Sequence, residues 1–170
     1  MNTPPPAFSS DTAKLAELIK DVRVAMFTTF PAGSAPHTRP MYTQRIEPAA
    51  FDGTLWFMAA TDSPKLRELV DNSRTLITYA APDKNRYIAV LASASPERNA
   101  EKARELWTIH AKGWWPGGPT DPSLTLIRAN IESAEYWDGP SNTSYMFNLL
   151  KAVATNSHIK LGGEHGSVKM

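Results

Sequence analysis

Two short segments hold the residues best suited to chemistry. His37-Thr38-Arg39-Pro40-Met41 places a guanidinium beside a proline, and Asp62-Ser63-Pro64-Lys65 places a hydroxyl and an ammonium at a predicted helix start. A helix N-terminus adds unpaired N–H groups and the positive end of the helix dipole. Arg39, Ser63 and Lys65 could therefore bind a phosphate group. An ordinary helix cap with two solvated charges is the alternative, and the pattern alone favours the cap.

A second candidate is the glycine- and proline-rich segment Gly113–Pro122, which contains the adjacent Trp114 and Trp115. Its composition is unsuited to a helix or a strand, and two neighbouring indoles in such a loop are difficult to bury together. Exposed aromatic side chains on loops often cover a ligand or a partner. A loop folded back onto the core is the alternative.

Other kinds of chemistry find little support in the composition. The chain has no cysteine, which excludes disulfides, thiolate nucleophiles and cysteine-based zinc sites and suits a cytoplasmic protein. The four histidines are dispersed, so no metal site is predicted. The net charge of +1 gives no overall field that would attract nucleic acid or a membrane.

The elements that must position these residues are mostly short strands. Residues 1–10 are interpreted as a disordered lead-in and residues 11–170 as a single domain. Strands are predicted over residues 22–30, 37–46, 54–60, 75–80, 87–94, 124–131 and 134–138. Helices are predicted after Ser10, from Pro64 with Leu66, Leu69 and Val70 facing inward, over 96–107, and over about 145–155.

Two features of this pattern predict the architecture. Alternation puts Arg39, Met41 and Thr43 on one face of their strand and Pro40 and Tyr42 on the other. Since proline cannot donate a ladder hydrogen bond, this strand should lie at a sheet edge. Sequential strands without regular helical crossovers favour antiparallel pairing. The expected fold is mainly β, a small antiparallel barrel with flanking helices.

Several motifs in order give the chain a family resemblance. They are His-x-Arg-Pro-Met at 37–41, Gly-Thr-Leu-Trp-Phe at 53–57, Asp-Ser-Pro-Lys at 62–65, Trp-Trp-Pro-Gly-Gly-Pro-x-Asp-Pro at 114–122 and Ala-Glu-Tyr-Trp-Asp at 134–138. Over about residues 11–168 the sequence resembles the general stress protein 26 branch of the pyridoxamine 5'-phosphate oxidase-like proteins.

The resemblance implies an FMN-binding split β-barrel that forms a homodimer with two FMN sites at the subunit interface. It implies that Arg39 and Lys65 bind the FMN phosphate with help from Ser63. Pro40, Met41 and Tyr42 would follow the ribityl chain and the ring, and Phe57, Met58 and Ala59 would border the flavin. Trp114 and Trp115 would close over the ring, from the same chain or its partner.

Departures from the family pattern bear on the activity. Pyridoxamine phosphate oxidases have a lysine where this chain has Gln44 and an arginine where it has Pro64, and a further arginine near their C-terminus has no clear match here. Ala92 also replaces a glycine frequent in this branch. The first hypothesis is an FMN-dependent oxidoreductase of unknown substrate. A non-enzymatic flavin-binding protein for storage or sensing is the alternative, and a true pyridoxamine phosphate oxidase agrees less well with the departures.

Overall fold

The computed structural model describes residues 10–140, 149–152 and 163–170. Its helices and strands, in chain order, are α1 (Ser10–Ile19), β1 (Val24–Thr29), β2 (His37–Tyr42), β3 (Thr54–Ala60), α2 (Pro64–Asp71), β4 (Arg74–Ala81), β5 (Arg86–Glu97), α3 (Ala100–Glu105), α4 (Ile109–Trp114), β6 (Leu124–Asp138) and β7 (Glu164–Lys169). Short 3-10 turns lie at Pro48–Ala50 and Pro82–Lys84. In this part of the chain, no helix is long and apolar enough to cross a membrane.

The strands form one antiparallel sheet in the order β2-β1-β4-β5-β6-β3, with β7 paired to β6. The sheet curls until its two edges approach each other. Thr43, just beyond β2, forms a β-bridge with Phe57 of β3, and the Gln44 N–H donates to the Trp56 carbonyl at 2.8 Å. The predicted antiparallel barrel with flanking helices is confirmed, and β2 lies at a sheet edge as Pro40 predicted.

The core lies inside this curl. Phe27 of β1 and Phe57 of β3 are fully buried, and their rings meet edge to face with centroids 5.1 Å apart. Helix α1 buries Leu15, Leu18 and Ile19 against the same core. The helix predicted after Ser10 is therefore confirmed, and these buried side chains fix it to the barrel.

The region after Ala94 differs from its prediction. β5 continues to Glu97, where the sequence predicted a helix over 96–107. Buried and less buried positions alternate along β5 through Ala94. Beyond Ala94, pairing with β6 continues as far as Glu97, which is why β5 extends to that residue. Helix α3 begins only at Ala100, where the Asn99 side chain accepts a hydrogen bond from the Lys102 N–H at 3.0 Å.

The C-terminal third differs as well. The two strands predicted over 124–131 and 134–138 are one strand, β6, with an irregularity in its pairing. Leu91 lies opposite Ser133 and Ala92 opposite Ile131, so Glu132 is an extra, bulged residue. Glu164–Lys169, near the C-terminus, form β7, a strand that the sequence did not predict.

Two predictions at the ends of the chain lie partly or wholly outside the described residues. Residues 149–152 are helical, and the rest of the helix predicted over 145–155 falls outside the described ranges. The disordered lead-in predicted over residues 1–10 also falls outside the described ranges, except for Ser10, which begins α1.

Candidate functional site

Helix α2 starts just beyond the end of β3, and its N-terminal turn contains both Ser63 and Lys65. Leu66 and Leu69 are buried and anchor the helix on the sheet, as predicted. Val70 was predicted to face inward, but it is 74% exposed. The sheet contacts α2 along the line of the two leucines, and Val70 lies beside it on the wall of a surface groove with Arg67 and Asp71.

Ser63 occupies the N-cap position of α2 with extended backbone angles, as a cap should. Its side chain, however, makes no capping hydrogen bond. The Oγ atom is buried and has no hydrogen-bond partner among the described residues. A buried hydroxyl left unpaired costs about 1–3 kcal/mol, so it calls for a partner. The cap interpretation therefore explains the backbone of Ser63 but not its side chain.

Lys65 is the second residue of α2, and the carboxylates of Glu68 and Asp62 lie close enough to attract its ammonium. It forms no ion pair or hydrogen bond with any residue that the structure describes. Burial lowers the pKa of the Lys65 ammonium, and the nearby positive charge of Arg39 lowers it further. Two neighbouring cations, one of them unpaired, make a place where an anion would be stabilised.

Arg39 extends from β2 towards Lys65, and its guanidinium is hydrogen-bonded to neighbouring side chains. Its side chain is 23% exposed. Its Nη1 donates to Thr29 Oγ1 at 2.7 Å, and its Nη2 donates to Glu68 Oε2 at 3.0 Å. Glu68 lies one helical turn after Lys65 on α2, so the same helix supplies both the unpaired ammonium and the carboxylate that holds the guanidinium.

Glu68 is the centre of a network that sequence reasoning missed. Its Oε2 also accepts from the Thr29 hydroxyl, and its Oε1 lies 2.8 Å from His37 Nδ1. Burial alone would raise the pKa of Glu68, but the hydrogen bonds from Thr29, His37 and Arg39 outweigh it and lower that pKa to about 2. The Lys65–Glu68 spacing and the shared face of His37 and Arg39 could have indicated this cluster.

The remaining β2 positions divide between the two faces as predicted. Met41 is buried, whereas Pro40 and Tyr42 are exposed, Tyr42 to 65%. Pro40 and Tyr42 thus project from the face opposite to Arg39. The structure brings Arg39, Ser63 and Lys65 together and leaves Pro40 and Tyr42 on the outer surface of the sheet.

The β3 residues named in the sequence analysis point into the protein. Phe57 and Ala59 are buried in the main core. Met58 faces a second, smaller cluster that contains Trp115 and Leu124. A ligand beside this strand would therefore meet mainly its backbone at Phe57 and Ala59.

The two adjacent tryptophans are separated by the structure. Trp115 is buried in the smaller cluster, whereas Trp114 is 78% exposed. Helix α4 includes Gly113 and Trp114, so the prediction that this segment holds no helix is wrong at its start. The following turns are fixed by Asp121, which accepts hydrogen bonds from the Gly117 N–H at 3.1 Å and the Ser123 hydroxyl at 2.7 Å. One indole anchors the segment and the other is presented to solvent.

Comparisons with solved structures agree with this architecture. A candidate general stress protein 26 from Jannaschia sp. CCS1 is 19% identical with a TM-score of 0.78, covering 96% of this chain and 100% of that one. A general stress FMN/FAD-binding protein from Xanthomonas citri is 22% identical with a TM-score of 0.66, covering 77% and 90%. A pyridoxamine 5'-phosphate oxidase-related, FMN-binding protein from Nostoc punctiforme PCC 73102 is 12% identical with a TM-score of 0.62, covering 94% and 98%.

Comparison with curated proteins gives no match. The family model described as pyridoxamine 5'-phosphate oxidase like matches residues 10–160, which is most of the chain. The resemblance deduced from the ordered motifs is confirmed, and the chain belongs to the pyridoxamine 5'-phosphate oxidase-like family.

Proposed function

We propose that this protein binds FMN and that Arg39, Ser63 and Lys65 hold its phosphate group. The observation that carries the proposal is the buried Ser63 Oγ, which has no hydrogen-bond partner among the described residues, on the same helical turn as Lys65, whose ammonium is in no ion pair with a described residue. The family match supports the choice of ligand, as do the Xanthomonas and Nostoc structures, which are described as FMN/FAD-binding and FMN-binding.

The donors fit a phosphate monoester. Ser63 offers a hydroxyl, Lys65 an ammonium, and Arg39 an Nε–H that makes no hydrogen bond to the described residues. Because Pro64 has no N–H, the first backbone donor inside α2 belongs to Lys65. An anion here would restore the pKa of Lys65 towards its usual range, since it compensates both the burial and the nearby guanidinium.

The proposed activity is that of an FMN-dependent oxidoreductase of unknown substrate. FMN, when bound, supplies hydride and single-electron transfer, and the protein contributes binding, orientation and exclusion of water. Glu68, with its pKa near 2, stays a carboxylate at neutral pH, so its role is to accept hydrogen bonds rather than to exchange protons. Gln44, half-buried just beyond β2, and Pro64, the first residue of α2, weigh against pyridoxamine phosphate oxidation.

A homodimer is part of the proposal. The outer face of the sheet exposes large apolar side chains that a monomer would leave in water. Val24 pairs with Tyr42 across β1 and β2, Tyr87 pairs with Trp137 across β5 and β6, and all four are more than 40% exposed. Exposed patches of this kind typically mark interfaces. We expect a second copy to cover this face, and shared flavin sites are what the family resemblance implies for such a dimer.

Trp114 has a place in this arrangement. Its exposed indole at the end of α4 is free to reach across an interface, while Trp115 keeps the segment attached to its own subunit. We expect Trp114 to cover the flavin of the partner subunit. The cytoplasmic location inferred from the cysteine-free sequence stays a prediction.

The phosphate assignment is tested by titrating the protein with FMN and with riboflavin, which lacks the phosphate. Charged hydrogen bonds contribute about 1.5–3 kcal/mol each, so Arg39→Ala with Lys65→Ala should weaken FMN binding by at least about 100-fold. Riboflavin binding should change little. Arg45→Ala, which removes an exposed cation paired only with Glu47 among described residues, is the matched control. Unchanged FMN affinity in the double variant would refute the assignment.

Turnover is tested separately on the FMN-loaded protein. Photoreduction followed by a screen of electron acceptors should reveal reoxidation faster than that of free FMN. If no acceptor gives turnover, the storage or sensing hypothesis replaces the enzymatic one. Light scattering on the same sample gives the molar mass, and a monomer with full FMN affinity would contradict the shared sites.

A further inference from the structure

We propose that Glu68 is a positioning residue of the phosphate site, which fixes the Arg39 guanidinium in the orientation that meets the phosphate. This inference rests on the proposed function and deepens it. Glu68 itself would not touch the phosphate, because its two oxygens are taken by Thr29, His37 and Arg39. Its main effect would pass through the arginine that it holds.

The geometry is a closed set of hydrogen bonds. The Thr29 hydroxyl donates its single proton to Glu68 Oε2 and accepts from Arg39 Nη1, while Arg39 Nη2 donates to the same Oε2. Each of the three groups therefore fixes the other two. Thr29 is fully buried and Glu68 is only 13% exposed, so water competes little for these bonds.

His37 completes the restraint on the carboxylate. Its Nδ1 lies 2.8 Å from Oε1, the oxygen that Arg39 and Thr29 leave available. With both oxygens engaged, the carboxylate plane cannot rotate without breaking a hydrogen bond. The terminal nitrogens of Arg39 are held on one side, and its Nε–H, without a hydrogen bond to any described residue, is left for a ligand.

The charges support the same role. Arg39 and Lys65 are close enough for each positive charge to disfavour the other. Glu68 neutralises the arginine, whereas Lys65 keeps its charge without an ion pair in the described chain. Without Glu68, the guanidinium would be repelled by Lys65 and gain freedom to turn towards solvent. A long, flexible arginine then has to be ordered at the moment of binding, which weakens the affinity.

A purely structural role is the competing explanation, because the network also joins α2 to β1 and β2. The two roles differ in what they predict for flavins with and without phosphate. If Glu68 only stabilises the fold, its loss would weaken the binding of FMN and of riboflavin equally, or would change only the stability of the protein. A positioning residue would lower the preference for FMN over riboflavin.

The experiment measures that preference for the full chain with Glu68→Ala. We expect FMN affinity to fall about 10- to 30-fold and riboflavin affinity to stay within about twofold. Asp71→Ala is the matched control, since it removes one carboxylate from the other end of α2, where Asp71 is exposed and has no hydrogen bond or ion pair to described residues. It should keep the wild-type preference.

A second variant keeps the test decisive if Glu68→Ala does not fold. Thr29→Val is nearly isosteric and removes the hydroxyl that Arg39 and Glu68 share, so it should also lower the FMN preference. Thr28→Val, which removes the neighbouring hydroxyl bonded to Thr38, is its control. A wild-type preference retained in every variant that folds would overturn the positioning role alone. A wild-type protein that does not prefer FMN over riboflavin would refute the phosphate site, and this inference with it.

Discussion

Glu68 should make the stability of the protein depend on pH in a way that can be measured. Its pKa falls from an ordinary value of 4.5 to about 2 on folding. The unfolded chain therefore takes up the proton first as the pH is lowered. The ionised carboxylate stabilises the fold at pH values above about 4.5, and this contribution is lost progressively as the pH falls from about 4.5 to about 2.

The magnitude follows from the same pKa. Each pKa unit corresponds to about 1.4 kcal/mol, so the full effect is about 3 kcal/mol. Water reaches part of the Glu68 side chain and screens its interactions, which reduces the expected contribution to about 1–3 kcal/mol. Glu68→Gln keeps the size of the side chain and removes the charge. At pH 7 the variant should lose this amount in its free energy of unfolding.

Urea unfolding of the flavin-free protein between pH 7 and pH 2.5, at one fixed protein concentration, measures the effect. The gap between wild type and Glu68→Gln should be widest at pH 6–7 and should narrow through the acid range. Asp71→Asn removes an exposed carboxylate from the same helix and should stay within about 0.5 kcal/mol of wild type throughout. Parallel curves for wild type and Glu68→Gln would refute the argument from the hydrogen-bond network.

Two further predictions concern the scaffold. Tyr79→Phe should lower the free energy of unfolding in urea by about 1–2 kcal/mol, because the buried Tyr79 hydroxyl lies 2.9 Å from Thr43 Oγ1, where the sheet edges meet. Tyr79→Phe combined with Thr43→Val should recover part of this loss. Wild-type stability in the Tyr79→Phe variant would contradict a contribution from this hydrogen bond. Asn99→Ala removes the side-chain cap of α3 and should lower the free energy of unfolding by about 1 kcal/mol in the same measurement. Asn99→Asp keeps the acceptor oxygen and should leave the stability unchanged. Equal losses of stability in both variants would argue against capping.

The sequence predicted most of the barrel because its strands carry their own pattern. The strand predicted over 54–60 has those bounds in the structure, since an apolar run between a turn and a helix start leaves few alternatives. Pro40 correctly identified an edge strand, because a missing N–H limits where a strand can pair. These features depend on neighbours along the chain, which a single sequence displays.

The predictions that were wrong concern segments whose structure depends on contacts with distant parts of the chain. β5 runs on through Ser95 and Pro96 because β6 lies beside it, and pairing over that length outweighs the local tendency of Ser-Pro to begin a helix. Strand β7 contains Gly166, where a Cβ would collide with the Tyr136 ring of β6. A glycine that indicates flexibility in the sequence is thus needed in the fold for close approach. Neither contact can be seen without the partner strand.

The candidate site shows the same division between local and long-range information. Ser63 and Lys65 belong to one short motif, and their position at a helix start could be predicted. Glu68 belongs to no motif in the sequence, and only the fold brings Arg39 and Thr29 against it. A site built only from the motif residues would place two cations side by side and repel itself. The carboxylate resolves this by neutralising Arg39 while Lys65 keeps its charge, so the fold tolerates the cluster and the site still attracts an anion.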